Sequence, residues 1–222
     1  MEAQRFAIPV GDESVSGLLL RPEESKALYL LAHGAGVGME HPSMEANARG
    51  LAERGIATLR FQFPYMEKGG RRPDPPRIAH AAVRSAAAMA AKVAGDLPLF
   101  AGGRSYGGRM TSQAQALMAI PSVQGLVFLG FPLHPAGAPG VERADHLQDV
   151  EVPMLFVSGD RDALADINLL KGLVDRLGGR AFLHVIKHAD HGLRVAAKSG
   201  RTSEGALAEA LDAVANWIGE RS

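Results

Sequence analysis

The stretch LPLFAGGRSYGGRM, residues 97–110, runs from an apolar segment through clustered glycines into a helical pattern. Pro98 to Ala101 reads as a strand, and Tyr106 to Ala119 as a helix stopped by Pro121. Between them Gly103-Arg104-Ser105-Tyr106-Gly107 fits G-x-S-x-G. A serine held at a tight strand-to-helix turn sits in strained backbone. Glycines two positions to either side remove the side chains that would collide there. Such a turn lifts the hydroxyl above the carboxyl end of a sheet, and N–H groups at the helix start face any negative charge that develops beside it. The motif alone is weak, and a Gly-rich turn that merely packs helix on strand is the plainer alternative. The preceding strand and following helix are the context that the motif requires.

The rest of the chain repeats this rhythm. Phe6 to Val10, Ser14 to Arg21, Ala27 to Ala32, Ile56 to Phe61, Val123 to Gly130, Val152 to Val157 and Ala181 to Ile186 read as strands. Helices are expected from Ser43, as cap, to about Arg54, and over Ile78 to Ala94, Ala163 to Leu177 and Glu204 to Ile218. Phe63 to Pro76, with four prolines, and Phe131 to Val150 read as loops. Alternation of this kind implies βαβ units and a mainly parallel sheet flanked by helices. With no linker, repeat or low-complexity segment, residues 1–222 are expected to form one α/β domain.

Composition narrows the chemistry. Apolar residues are 46% of the 222, enough for a sizeable core. Lys plus Arg and Asp plus Glu stand at 24 each, so no general field draws the chain to nucleic acid or an anionic membrane. The absence of cysteine excludes disulfides and thiolate catalysis. No apolar run is long enough to span a bilayer and Met1 to Val10 lacks a secretory pattern, so a cytoplasmic location is expected.

A serine hydroxyl needs a base, and the base an orienting carboxylate. Downstream of Ser105, Gly159-Asp160-Arg161-Asp162 follows one strand and His188-Ala189-Asp190-His191-Gly192 follows the next. Both would sit at the sheet edge where open α/β folds place their sites. Here the chain resembles the α/β-hydrolase superfamily, from HGAG at His33 to DHG at Asp190. The resemblance implies a catalytic triad of Ser105, Asp162 and His191, with Asp162 at the last position of G-x-x-D and His191 before Gly192 and Leu193. It also implies an oxyanion hole from the backbone N–H groups of Ala35 and Tyr106. Asp160, His188 and Asp190 are then turn residues. A helix cap at Asp162 and a metal set of His184, His188 and His191 are the competing readings; the latter lacks a helical face to align it.

More narrowly, AHGAGVGMEHP, FQFPY, GGRSYGGRM and LGFPLHP resemble a branch of small hydrolase-like proteins. That branch includes a testis-expressed protein and a subunit of a nuclear histone-acetyltransferase complex. Dienelactone hydrolases and short esterases are looser likenesses. The implied activity is cleavage of a small ester, thioester or lactone through an acyl-enzyme, with no metal or organic cofactor. A non-catalytic binding module on the same fold is the alternative. A small-molecule substrate is the expected partner. Arg71, Arg72, Arg104 and His134 are candidate substrate contacts, set against solvated charge for the arginines and a turn role for His134.

Overall fold

The computed structural model describes all 222 residues. Eight strands form one sheet: β1 (Gln4–Val10), β2 (Glu13–Leu20), β3 (Ala27–Ala32), β4 (Ile56–Phe61), β5 (Leu99–Arg104), β6 (Val123–Leu129), β7 (Met154–Gly159) and β8 (Ala181–Ile186). Their order across the sheet is β1-β2-β4-β3-β5-β6-β7-β8. β1 and β2 pair antiparallel, β2 meets β4 antiparallel, and every other pairing is parallel.

Helices cover both faces, which is why the central strands are apolar throughout rather than alternating. In ALYLLA of β3, Leu28, Leu30 and Ala32 enter one core, and Ala27, Tyr29 and Leu31 the other. The first core is closed by α3 (Pro76–Ala94), α4 (Tyr106–Leu117) and α5 (Ile167–Leu177). The second is closed by α1 (Pro42–Ala52) and α6 (Ser203–Gly219). Along α3, Ala79, Ala82, Val83, Ala86, Ala87 and Ala90 are buried at helical spacing, and their small side chains let the helix lie close on the sheet. On α5, Leu170, Leu173 and Leu177 form the inward stripe, each worth about 2 kcal/mol in burial.

Two helix starts differ from the sequence reading. α1 begins at Pro42, and the His41 ring rather than Ser43 caps it, accepting from the Ser43 N–H at 3.2 Å. Proline at the first helical position lacks the N–H that would go unpaired there, which shifts the start forward. α5 begins at Ile167, not near Ala163, because Asp166 accepts from the N–H groups of Asn168 and Leu169. The two long loops are also partly ordered: α2 (Pro64–Glu67) lies in the first and a 3₁₀ segment, Glu142–Asp149, in the second. Neither amounts to a large lid. No helix is long and apolar enough to cross a membrane.

Candidate active site

β3 and β5 lie side by side, and the connections that leave them run in opposite directions, from β3 to β4 on one side and from β5 to β6 on the other. The crevice at the carboxyl ends of these two strands is the topological switch point of the sheet. Ser105 stands there, immediately after β5, with φ 48° and ψ −115°. Non-glycine backbone in such a region costs roughly 1–3 kcal/mol and persists only where the surroundings enforce it. The flanking glycines show how they do so. A Cβ on Gly103, itself at φ 147°, would sit 2.2 Å from the Ala32 carbonyl oxygen, and one on Gly107 2.5 Å from those of Ala32 and His33. The elbow is wedged against the end of β3 with no room for a side chain.

Ser105 is the N-cap of α4, yet its side chain caps nothing. Its Oγ lies 2.8 Å from Nε2 of His191 instead. Nδ1 of His191 lies 2.8 and 3.0 Å from the two carboxylate oxygens of Asp162. A carboxylate only accepts, so Nδ1 carries the ring proton and the Nε2 lone pair faces the hydroxyl. The Asp162 side chain is fully buried; Oδ1 also accepts from the Leu164 N–H at 2.7 Å. That bond bends the chain into a turn before α5, so Asp162 does not cap the helix.

Asp160 and Asp190 brace the loop that carries His191. Asp160 Oδ1 accepts from the His188 N–H at 2.6 Å. Asp190 Oδ1 accepts from the N–H groups of Gly192 at 2.7 Å and Arg194 at 2.9 Å. His184 lies apart, 3.3 Å from Glu209. No three His, Asp or Glu side chains gather as a metal-holding cluster.

Ala35, Ser105 and Tyr106 line one cleft of about 380 Å³. The backbone N–H of Ala35 makes no hydrogen bond within the protein, and that of Tyr106 opens α4, where the first turn lacks helical acceptors. The loop that carries Ala35 is held from behind. Tyr65 Oη accepts from the Gly36 N–H at 3.3 Å. The rings of His33 and Phe63 meet edge to face at 4.9 Å, and those of Phe63 and Tyr106 at 5.2 Å. His33 is fully buried; its Nε2 accepts from the Phe63 N–H at 3.0 Å, and burial pushes its pKa down to about 4. The imidazole is therefore a neutral strut.

The proposed substrate contacts distribute differently from the sequence expectation. Arg71 and Arg72 are exposed and do not line the cleft. Arg104 turns toward the histidine loop: its Nη2 would meet a Cβ on Gly192 at 3.5 Å. Burial and then Arg194 push its pKa down, with Asp190 and Asp162 opposing. His134 is a buried brace, its Nε2 accepting from the Asp166 N–H at 2.8 Å and its Nδ1 donating to the Pro135 carbonyl. The polar lining instead comes from Asp74, Tyr106, Arg109 and Arg143. Arg109 shares α4 with the elbow, one turn beyond Ser105, a spacing that can be read from the sequence. Arg143 and Asp74 lie in stretches read as structureless loop, where no periodicity marks which way a side chain faces.

A family model described as an alpha/beta hydrolase domain matches residues 25–219. Among solved structures, an alpha-beta serine hydrolase homologue from Coxiella burnetii superposes with a TM-score of 0.76 at 19% identity, over 97% of each chain. A dienelactone hydrolase from Anabaena variabilis gives 0.71 at 24% identity, over 100% of this chain and 97% of the other. A lidless α/β serine hydrolase from Xanthomonas campestris gives 0.71 at 19% identity, over 96% and 95%. The narrower likeness to the testis-expressed and acetyltransferase-subunit relatives rests on the four sequence stretches alone. On the family match, which spans most of its length, and on its fold, the chain belongs to the α/β-hydrolase family.

Proposed function

We propose that the protein is a serine hydrolase that cleaves a small ester, thioester or lactone through an acyl-enzyme on Ser105. The observation that carries this reading is the unbroken hydrogen-bonded series from Ser105 Oγ through His191 to the buried Asp162. In the first half-reaction Oγ attacks the carbonyl carbon as Nε2 of His191 takes the hydroxyl proton. Negative charge moves to the carbonyl oxygen, where the N–H groups of Ala35 and Tyr106 receive it. Loss of one such donor typically costs about 3 kcal/mol of transition-state binding. His191 then protonates the leaving group and the carbon–oxygen or carbon–sulfur bond breaks. In the second half a water attacks the acyl-serine carbonyl carbon, giving its proton to His191; the carbon–Oγ bond then breaks, His191 returns the proton to Oγ, and the acid leaves.

An open cleft with no large lid suits a short acyl group better than a long lipid chain. The structural neighbours, two serine hydrolases and a dienelactone hydrolase, agree in class. The test is turnover of p-nitrophenyl acetate and labelling by a fluorophosphonate. Wild-type protein is expected to do both. Ser105→Ala should abolish labelling and lower kcat by about a thousandfold or more. Folded wild-type protein that neither turns over the ester nor takes the label would leave only a binding module.

A further inference from the structure

Two guanidinium groups line the cleft beside Ser105 without an ion-pair partner. Arg109 lies one turn into α4, its backbone N–H donating to the Ser105 carbonyl at 3.1 Å. Arg143 comes from the 3₁₀ segment Glu142–Asp149, and both line the cleft. Neither side chain takes part in an ion pair. Nε of Arg109 is buried and has no hydrogen-bond partner. Burial and then Arg143, a like charge, push the Arg109 pKa down, with Tyr106 opposing. A second polar group in the same wall is also unpartnered: Tyr106, 8% exposed, has a buried hydroxyl with no hydrogen bond. Bringing two like charges and an orphaned phenol into one half-buried wall is costly unless something anionic completes it. The Asp74 carboxylate lies in the cleft as well, where it accepts from the Tyr65 N–H at 2.8 Å, so an anion must settle on the Arg143 side.

We propose that Arg109 and Arg143, with the Tyr106 hydroxyl, select substrates whose acyl chain ends in an anionic group, a carboxylate or a phosphonate-like oxyanion. This rests on the serine-hydrolase reading of the same site. The assignment to the acyl side follows from the geometry. His191 must protonate the leaving group from its place 2.8 Å from Ser105 Oγ, whereas both arginines line the cleft from α4 and the 3₁₀ segment. The leaving group therefore departs on the histidine side and the acyl chain lies toward α4 and the 3₁₀ segment. Guanidinium groups bind carboxylates and phosphates as a planar fork, which gives direction as well as charge.

The experiment compares kcat/KM for three p-nitrophenyl esters: the hydrogen glutarate, its neutral methyl glutarate isostere, and a 4-phosphonobutyrate. Wild-type protein is expected to favour at least one anionic ester over the neutral one by about tenfold or more, and the two anionic arms show which anion is preferred. Arg143→Gln, a change at a half-exposed position, should reduce that preference about tenfold, and Arg109→Gln likewise; Arg109→Lys should restore part of it. A purely structural role would depress all three esters together and leave the ratio unmoved. A wild-type ratio near one, or a ratio unmoved by either Gln variant, overturns the proposal. Failure of the hydrolase reading looks different, because no ester is then turned over. In that case calorimetry with glutarate on wild-type protein decides: salt-sensitive binding weakened about tenfold by Arg143→Gln supports the anion site, and no binding overturns it.

Discussion

Gly107 shows how much a single hydrogen atom does in this molecule. Its α-carbon faces the carbonyl oxygens of Ala32 and His33, both backbone and both fixed by β3 and the loop that follows. Gly107→Ala would place a methyl 2.5 Å from each, and no side chain can rotate away to relieve it. The expected result is a loss of about 3 kcal/mol or more in unfolding free energy, read from urea midpoints, because overpacking against backbone has no cheap relaxation. Asp162→Asn tests a second residue-scale claim. The amide would still offer an oxygen to the Leu164 N–H, but it no longer enforces a proton on Nδ1 of His191. Ester turnover should fall by about 10³- to 10⁴-fold while urea stability changes far less, since the shape of the buried group is kept. At this scale the sequence was informative where chemistry and backbone demand coincide, as in Gly103, Ser105 and Gly107. It was uninformative about direction. Arg104 and Arg109 are five residues apart on either side of the elbow, yet one turns to the histidine loop and the other to the cleft.

Among the elements, the junction of α1 with β4 carries an unforeseen charge. The apolar run of β4 includes Arg60, whose side chain is fully buried. Its Nη1 donates to the Met39 carbonyl at 3.0 Å. Its Nη2 pairs with Glu45 Oε2 at 2.6 Å. Glu45 on α1 also pairs with Arg49 at 2.6 Å. Burial works to raise the Glu45 pKa, but the two guanidinium groups together win and hold it below the usual carboxylate range. Removing that carboxylate leaves a buried cation unpaired, which costs more than the pair itself contributes. Glu45→Ala should therefore destabilise by about 3 kcal/mol in urea, more than a surface substitution on the same helix. The strand was legible from periodicity, because one arginine does not disturb an apolar run, but nothing local says that the arginine points inward. Helix starts were misplaced for a related reason: Pro42 and Asp166 are strong local signals, and Ser43 and Ala163 drew attention from them. The 3₁₀ segment that presents Arg143 has neither strand nor α-helical period, so its position over the cleft became visible only in three dimensions.

Across the whole molecule, the sheet order puts the His33 loop and the Ser105 elbow side by side at the switch point, and the buried His33 ties that region to the start of the 63–76 loop. The parallel sheet was readable from alternation of strands and helices; the side of the sheet on which each helix packs was not, because both faces are equally apolar. This arrangement has a consequence for stability. In the unfolded chain a histidine takes up its proton near pH 6.5, but burial holds His33 neutral down to about 4. His146 is held down to about 4 as well, first by burial and then by Arg109 and His80, with its Nε2 2.7 Å from Ser112 Oγ. Between these values the unfolded state binds more protons than the folded state, so stability rises with pH across the window. The folded state is thus at full strength above pH 6.5, weakens as pH falls to about 4, and loses no more from these two groups below that. For His33 alone the window amounts to about 3 kcal/mol. The depressed Glu45 carboxylate acts in the same direction, but only below the ordinary carboxylate range, so it adds to the loss at the acid end. Urea unfolding of wild type and His33→Gln at pH 7.5 and 4.5 separates the contributions, because glutamine keeps an acceptor for the Phe63 N–H and does not titrate. The wild type should lose about 2–3 kcal/mol more than the variant on acidification, and equal losses would show that His33 is not the neutral strut described.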